Sequence, residues 1–281
     1  MLWWLICLKS IMKKLFFIVS ATACSLLTAQ TLEKVNYVGA LHRDAAKDWT
    51  KGWTEWNPKQ ASYGVAAETT TLNDASGIKN ITGTVTLDAS KVYLLTSTCV
   101  VRSGGKLIIP AGTVIRGAAD LTATPKLYAT LVVERGGSIE INGTSSNPVV
   151  LTSNKDAGVR DRGDWGGLVI CGKAVNNQSV DAQLEGFNNV AVDNTLGKYG
   201  GTDDADNSGV LKYVRIEFAG LAFEPNKEVN SLTMGSVGSG TVIEGVQCSF
   251  GNDDAFEWFG GTVNCKKLIA YKTTDDDFDT D

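Results

Sequence analysis

Apolar and polar positions alternate along most of the chain with a period of two, in short runs closed by Gly, Asn or Asp, while the 3.6-residue helical period is nearly absent. The segments VVRSGGKLIIPAG (100–112) and VVERGGSIEING (132–143) share two valines, two polar residues, a Gly-Gly pair and an alternating apolar run. Each predicts a strand, a tight corner and a second strand: alternation buries one face, and the paired glycines supply the positive φ that a sharp corner needs. Further short strands are expected in GGLVICG (166–172), LKYVRIEFAG (211–220), TVIEGVQCSFGN (241–252) and CKKLIAYKTTDD (265–276).

Short strands build sandwiches, propellers and solenoids alike, and the repeat length separates them. GNDDAFEWFGG (251–261) is answered 22 residues on by TTDDDFDTD, so that Asp253, Asp254 and Phe256 recur as Asp275, Asp276 and Phe278. A repeat of that length is one coil of a β-solenoid and too short for a propeller blade of ~40 residues. The two Gly-Gly units lie 32 residues apart, and the surplus, AADLTATPKLY (118–128), reads as a loop thrown out of one corner. A solenoid tolerates that, because each coil touches only its neighbours. The expected fold class is all-β, a right-handed parallel β-helix over 81–281, with Asp253 over Asp275, Asp254 over Asp276 and Phe256 over Phe278 at the ~4.8 Å spacing of adjacent strands.

Both ends depart from the coil pattern. Residues 1–29 read as a secretory signal peptide, with Lys13 and Lys14 ahead of an apolar run and the true start at Met12; Cys24 offers a rival reading as a lipid-bearing cysteine. No second hydrophobic stretch of spanning length follows, so the mature chain is expected to lack a transmembrane segment and to be exported, to the outer-membrane surface or the extracellular space. Residues 30–80 are expected to form an irregular N-terminal cap, with Trp49, Trp53 and Trp56 covering the first exposed strands or offering an aromatic platform to sugar rings. At the other end the pattern stops within a coil, as expected of a truncated product.

Charge and composition narrow the chemistry. The formal net charge of −5 becomes −8 once the leader's three lysines are removed, which argues against nucleic acid as a partner. Cys99, Cys171, Cys248 and Cys265 show no CxxC spacing and read as small buried hydrophobes rather than a zinc site or disulfide framework. The single histidine, His42, lies in the expected cap, which removes Ser-His-Asp and Cys-His catalysis.

The motifs WTKGWTEWNP, GTVIRG, LVVERGGSIEINGTSSNPVVLTS, GDWGGLVICGKA, YGGTDDADNSGVLKYVRIEFAG and FEWFGGTVNCKKLIAYKTTDDDFDTD together resemble a family of exported right-handed parallel β-helix proteins of Bacteroidetes, mostly uncharacterised, over about residues 49–281. The resemblance implies the fold and export, continuation beyond Asp281 and often a type IX secretion sorting domain. It transfers no catalytic residue.

Three readings remain for the acids. Stacked carboxylates suit a polysaccharide hydrolase or lyase, with Asp253, Asp254, Asp275 and Asp276 as the candidate catalytic groups. GNDDAF also resembles the Asp-Asp element of polygalacturonase-like enzymes, although their Gly-His-Gly element is missing. Calcium is the second: Asp203, Asp204 and Asp206 in GGTDDADNSG (200–209), with Asp253, Asp275 and Asp277, offer the hard oxygens it takes, in an order unlike an EF-hand. Plain turn chemistry is the third, since Asp and Asn bond their own backbone at corners. On balance the residues favour a secreted or cell-surface structural or binding module, recognising polysaccharide or another surface partner, and no enzyme. The alternative is a carbohydrate-active enzyme using the stacked aspartates.

Overall fold

The computed structural model describes residues 36–63, 69–72, 78–124, 126–187, 195–224 and 227–281; the expected signal peptide lies outside them. Residues 36–48 belong to a unit of their own, Met1–Asp48, whose described part holds one 3-10 turn, Ala45–Lys47, with the Asp44 carboxylate accepting from the Ala46 N–H at its start. All described strands lie in the second unit, Trp49–Asp281.

That unit is the expected right-handed parallel β-helix. A seven-stranded parallel sheet runs Lys79–Ile81, Cys99–Val101, Thr130–Val133, Gly167–Cys171, Leu232–Gly235, Phe256–Phe259 and Phe278–Thr280, one strand per coil. The other two faces of each coil form a ten-stranded sheet. In the early coils these faces use separate strands, such as Ser138–Asn142 and Val149–Ser153. Strand Gly209–Glu217 joins them, pairing with the first through Gly209–Lys212 and with the second through Val214–Ile216. Strands Val242–Ser249 and Asn264–Tyr271 continue both faces as single bent strands.

A left-handed residue at each bend makes this possible. Tyr213 (φ 49°), Gly245 (φ 76°) and Lys267 (φ 56°) take one corner on three successive coils, and Phe218 (φ 63°), Phe250 (φ 55°) and Lys272 (φ 57°) take the next. One residue in this region turns the chain without a loop, as a bulge does within a strand. A third corner, where the chain leaves the seven-stranded sheet, belongs to glycine in the earlier coils, at Gly104 (φ 78°) and Gly136 (φ 83°), whose strands flank it as the alternation predicts.

Alternation fills the inside with Leu107, Ile109, Leu131, Ile139, Leu168, Leu232, Phe256 and their neighbours, all nearly inaccessible to water. Cys99, Cys171 and Cys248 are buried and all four cysteines of the coils are free, as small hydrophobes would be. Phe256 and Phe278 stack at 5.5 Å with ring planes 10° apart, the aromatic ladder expected from the 22-residue repeat. Part of the outside is also buried. Val100, Val132 and Val169 face outward from the seven-stranded sheet and meet Leu184, Phe187, Leu196 and Tyr199 from one insertion and Leu221, Phe223 and Val229 from another.

The tryptophan segment lies along the flank of later coils. Trp53 is fully buried, 5.7 Å edge-on from Tyr213, and Trp56 meets Tyr271 at 5.1 Å. Between them the Gln247 amide holds the backbone of Glu55 by two hydrogen bonds of 2.8 and 2.9 Å. Further along, the Tyr63 hydroxyl donates to the buried Glu217 carboxylate, which also accepts from Thr152 Oγ1 at 2.8 Å.

A carboxyl cleft on the seven-stranded sheet

One outward row crosses the seven-stranded sheet: Val100, Val132, Val169, Thr233, Glu257 and Asp279 are paired in that order across adjacent strands. The row is covered and apolar at its start and open and acidic at its end. Pleating decides this, since in FEWF the side chains of Phe256 and Trp258 pack against the core within the coil while Glu257 must point out. Its open end forms a cavity of about 350 Å³ lined by Asn230, Thr233, seven carboxyl groups and the rings of Phe187 and Phe259.

The corner that enters this sheet supplies the other acids. Asn230, Asp254 and Asp276 form a ladder from coil to coil: Asn230 Oδ1 accepts the N–H of Asp254 at 3.2 Å, and Asp254 Oδ1 accepts the N–H of Asp276 at 2.9 Å. The Asn230 amide also donates to Glu257. Two groups of carboxylates converge, Asp253 with Asp254 and Asp275, and Asp254 with Glu257 and Asp279, the closest oxygens in each lying within 4.8 Å of one another. Glu185 and Asp276 complete the acidic lining, and among the described residues no lysine, arginine or histidine lines the cleft.

Crowded carboxylates in a half-dry cleft resist ionisation. Burial, and then the charges of Asp254, Asp279, Asp281 and Asp253, push Glu257 from its ordinary 4.5 up to about 8. Burial raises Asp254 from 3.8 to about 6, against the Asp276 N–H that favours its charged form. At neutral pH Glu257 holds its proton and Asp254 is mostly ionised. A proton donor thus stands beside carboxylates, which is what acid-base chemistry requires.

Of the acids expected from the repeat, Asp253, Asp254 and Asp275 are brought together, and Asp276 lines the same cleft while giving its backbone to Asp254. The loop acids stand elsewhere, at the corner beyond the opposite end of the strands. Asp203 accepts from the Ala205 N–H, Asp204 from the Val175 N–H at 3.1 Å, and Asp206 from the Lys173 N–H and Ser208 hydroxyl. Asp203 serves a local turn while Asp204 and Asp206 tie this loop to the segment after Gly167–Cys171, and neither they nor Asp277 belong to a carboxylate group that converges on one point among the described residues. Glu257, Asp279 and Asn230 escaped the sequence reading. The same 22-residue alignment held the first two, since it pairs Glu257 with Asp279.

One family model, described as a pectate-lyase like beta helix domain, matches residues 79–281. No curated protein and no solved structure matches the chain. The family match and the converging carboxylates overturn the expectation of a purely structural or binding module, and with it the expectation that the chain is no enzyme. That expectation leaned on the lack of a usable histidine, whereas the cleft holds a carboxyl group, Glu257, whose pKa is raised into the range where a histidine titrates or above it. The match takes in every coil from the first strand of the seven-stranded sheet to the last, well over half of the 281 residues, and the chain belongs to the family of pectate-lyase-like β-helix domains.

Proposed function

We propose that this protein is a carbohydrate-active enzyme that hydrolyses a polysaccharide in the carboxyl cleft. The observation that carries the reading is Glu257, protonated at neutral pH, with Asp254 and Asp279 offering oxygens within 4.8 Å. Glu257 donates its proton to the glycosidic oxygen as that bond breaks, Asp279, one strand along the same row, bonds the anomeric carbon, and a water that gives its proton to Glu257 then displaces Asp279 to release the second product. The short separation lies nearer the ~5–5.5 Å of a retaining pair than the ~6.5–9.5 Å of an inverting one. Hydrolysis is favoured over β-elimination because no lysine, arginine or histidine among the described residues lines the cleft to remove a carbon-bound proton. A panel of polysaccharides assayed for new reducing ends, and for the ultraviolet absorbance of unsaturated sugars, tests this. Glu257→Gln should lower kcat at least ~100-fold with the fold intact; cleavage that survives Glu257→Gln, or unsaturated products, would sink it.

Asp253, Asp254 and Asp275 also suit a cation, and the all-oxygen set points to calcium. One Asp254 oxygen is engaged by the Asp276 N–H, leaving the other for the ion. Calcium there would neutralise clustered charge and orient a sugar hydroxyl. Added Ca²⁺ should raise the melting temperature and chelator should lower it; no shift at millimolar Ca²⁺ ends this part of the proposal.

A further inference from the structure

The cleft also carries information about what it accepts. It presents seven carboxyl groups and no cationic side chain among its described lining residues. Among the described residues Lys59, Arg162 and Lys272 gather instead within 5.5 Å of the Phe250 ring centre, and Lys59 pairs with Asp161 at 3.0 Å. Without a bridging cation, a chain of uronic acids entering such a cleft meets like charge at every unit, and a neutral glycan leaves the repulsion between the carboxylates unrelieved.

A second observation points to an absent partner. Thr233 is only 4 % exposed, stands in the outward row next to Glu257 and lines the cavity, yet its hydroxyl oxygen has no hydrogen-bond partner. Buried hydroxyls are ordinarily paired, so an unpaired one facing a cavity marks the place of a ligand's polar group. The site also continues: Glu185 and Phe259 line a second cavity of about 410 Å³ together with Asn177, Gln178, Gln183 and Tyr199, which has room for an adjoining sugar and an aromatic ring to lie against it.

We infer that the cleft takes a cationic amino-sugar polymer, a chain of hexosamine units with free ammonium groups, with one ammonium among the carboxylates beside Thr233 and the next unit in the amide-lined cavity. The inference rests on the hydrolase reading and names its substrate class. A calcium ion held by Asp253, Asp254 and Asp275 leaves Glu185, Asp276 and Asp279 as the charged groups that face the ammonium.

Calorimetric titration of the full chain with a glucosamine oligomer, its fully N-acetylated counterpart and a galacturonate oligomer, each with and without Ca²⁺, tests this apart from turnover. The glucosamine oligomer should bind at least about ten-fold tighter than the other two, with the preference shrinking in high salt. Thr233→Val, close in volume, should weaken that binding about 2- to 10-fold without lowering the melting temperature, since it removes an unpaired hydroxyl. Asp279→Asn should weaken it too, while Asp156→Asn, an exposed acid away from the cleft, should not. Equal binding of the two hexosamine oligomers, tighter binding of galacturonate with Ca²⁺, or equal losses in Asp279→Asn and Asp156→Asn would overturn the inference. If the glucosamine oligomer binds as expected but no polymer is cut, the ligand class stands and the proposed hydrolysis falls.

Discussion

At the scale of single residues, one corner position shows how much backbone conformation asks of the side chain. Tyr213, Gly245 and Lys267 occupy the same left-handed place on successive coils, where an L-residue costs about 1–2 kcal/mol over glycine. Tyr213 recovers that cost by packing against Trp53. Lys267 recovers part of it in a 2.6 Å ion pair with Glu244, a half-exposed contact worth at most about 1 kcal/mol. Gly245→Ala should therefore destabilise the chain by roughly 1 kcal/mol or more, the more so because the new Cβ would stand 3.2 Å from the Tyr213 ring. Lys267→Gly should be neutral or stabilising. Denaturant midpoints of the two variants check the pair, and the same sign for both would show that the corner is not what sets their stability.

At the scale of elements, the segment of residues 49–63 behaves as a strap fastened at separate points along the flank. Trp53 is its anchor by burial, Gln247 its clasp by two hydrogen bonds to the Glu55 backbone, and Tyr63 its far end on the buried Glu217. Arg160 reinforces that end by donating to the carbonyls of Pro58 and Ala61 at 3.0 and 2.9 Å. Gln247→Leu keeps the bulk but removes both bonds to Glu55. It should cost about 1–3 kcal/mol, and hydrogen exchange should speed up at the Glu55 amide before it does in the coils. Exchange that rises equally throughout would mean that the clasp and the helix open together.

At the scale of the whole molecule, the cleft couples stability to pH. Glu257 and Asp254 bind their protons more tightly folded than unfolded, with folded values of about 8 and about 6 against ordinary values of 4.5 and 3.8. Where the folded state holds more protons, stability falls as pH rises. The stabilisation is complete below pH 3.8 for Asp254 and 4.5 for Glu257, and is lost by about 6 and about 8 respectively. Melting temperature should thus fall across this window, with the portion above pH 6 flattened in Glu257→Gln. Calcium should flatten the portion below pH 6, because at Asp254 the cation replaces the proton as the partner of the carboxylate. A melting temperature that rises from pH 5 to 8 would contradict the assignment of protons within the cleft. Among the described residues no helix is long and apolar enough to cross a membrane.

The period-two alternation, the Gly-Gly corners and the 22-residue repeat determined the parallel coil, the inward Phe256–Phe278 ladder and the gathering of Asp253, Asp254 and Asp275, because a solenoid converts a fixed sequence offset into vertical contact. The outward pair Glu257 and Asp279 was present in the same offset, but a charged residue facing out of a strand looks like ordinary solvated surface until something walls it in. Only the tertiary structure decided that. Asn230 and Thr233 lie 24 residues before Asp254 and Glu257 rather than 22, and the Phe187 wall comes from an insertion that no repeat predicts. The proton on Glu257 depends on that enclosure, since burial is its first cause and burial is a property of the assembled coils. The loop acids Asp203, Asp204 and Asp206 look no less like ligands in sequence, and folding spends them on backbone N–H groups. Sequence spacing fixes which residues share a corner; the dielectric around them and the partners of their oxygens arise only when insertions, corners and neighbouring coils close on one another.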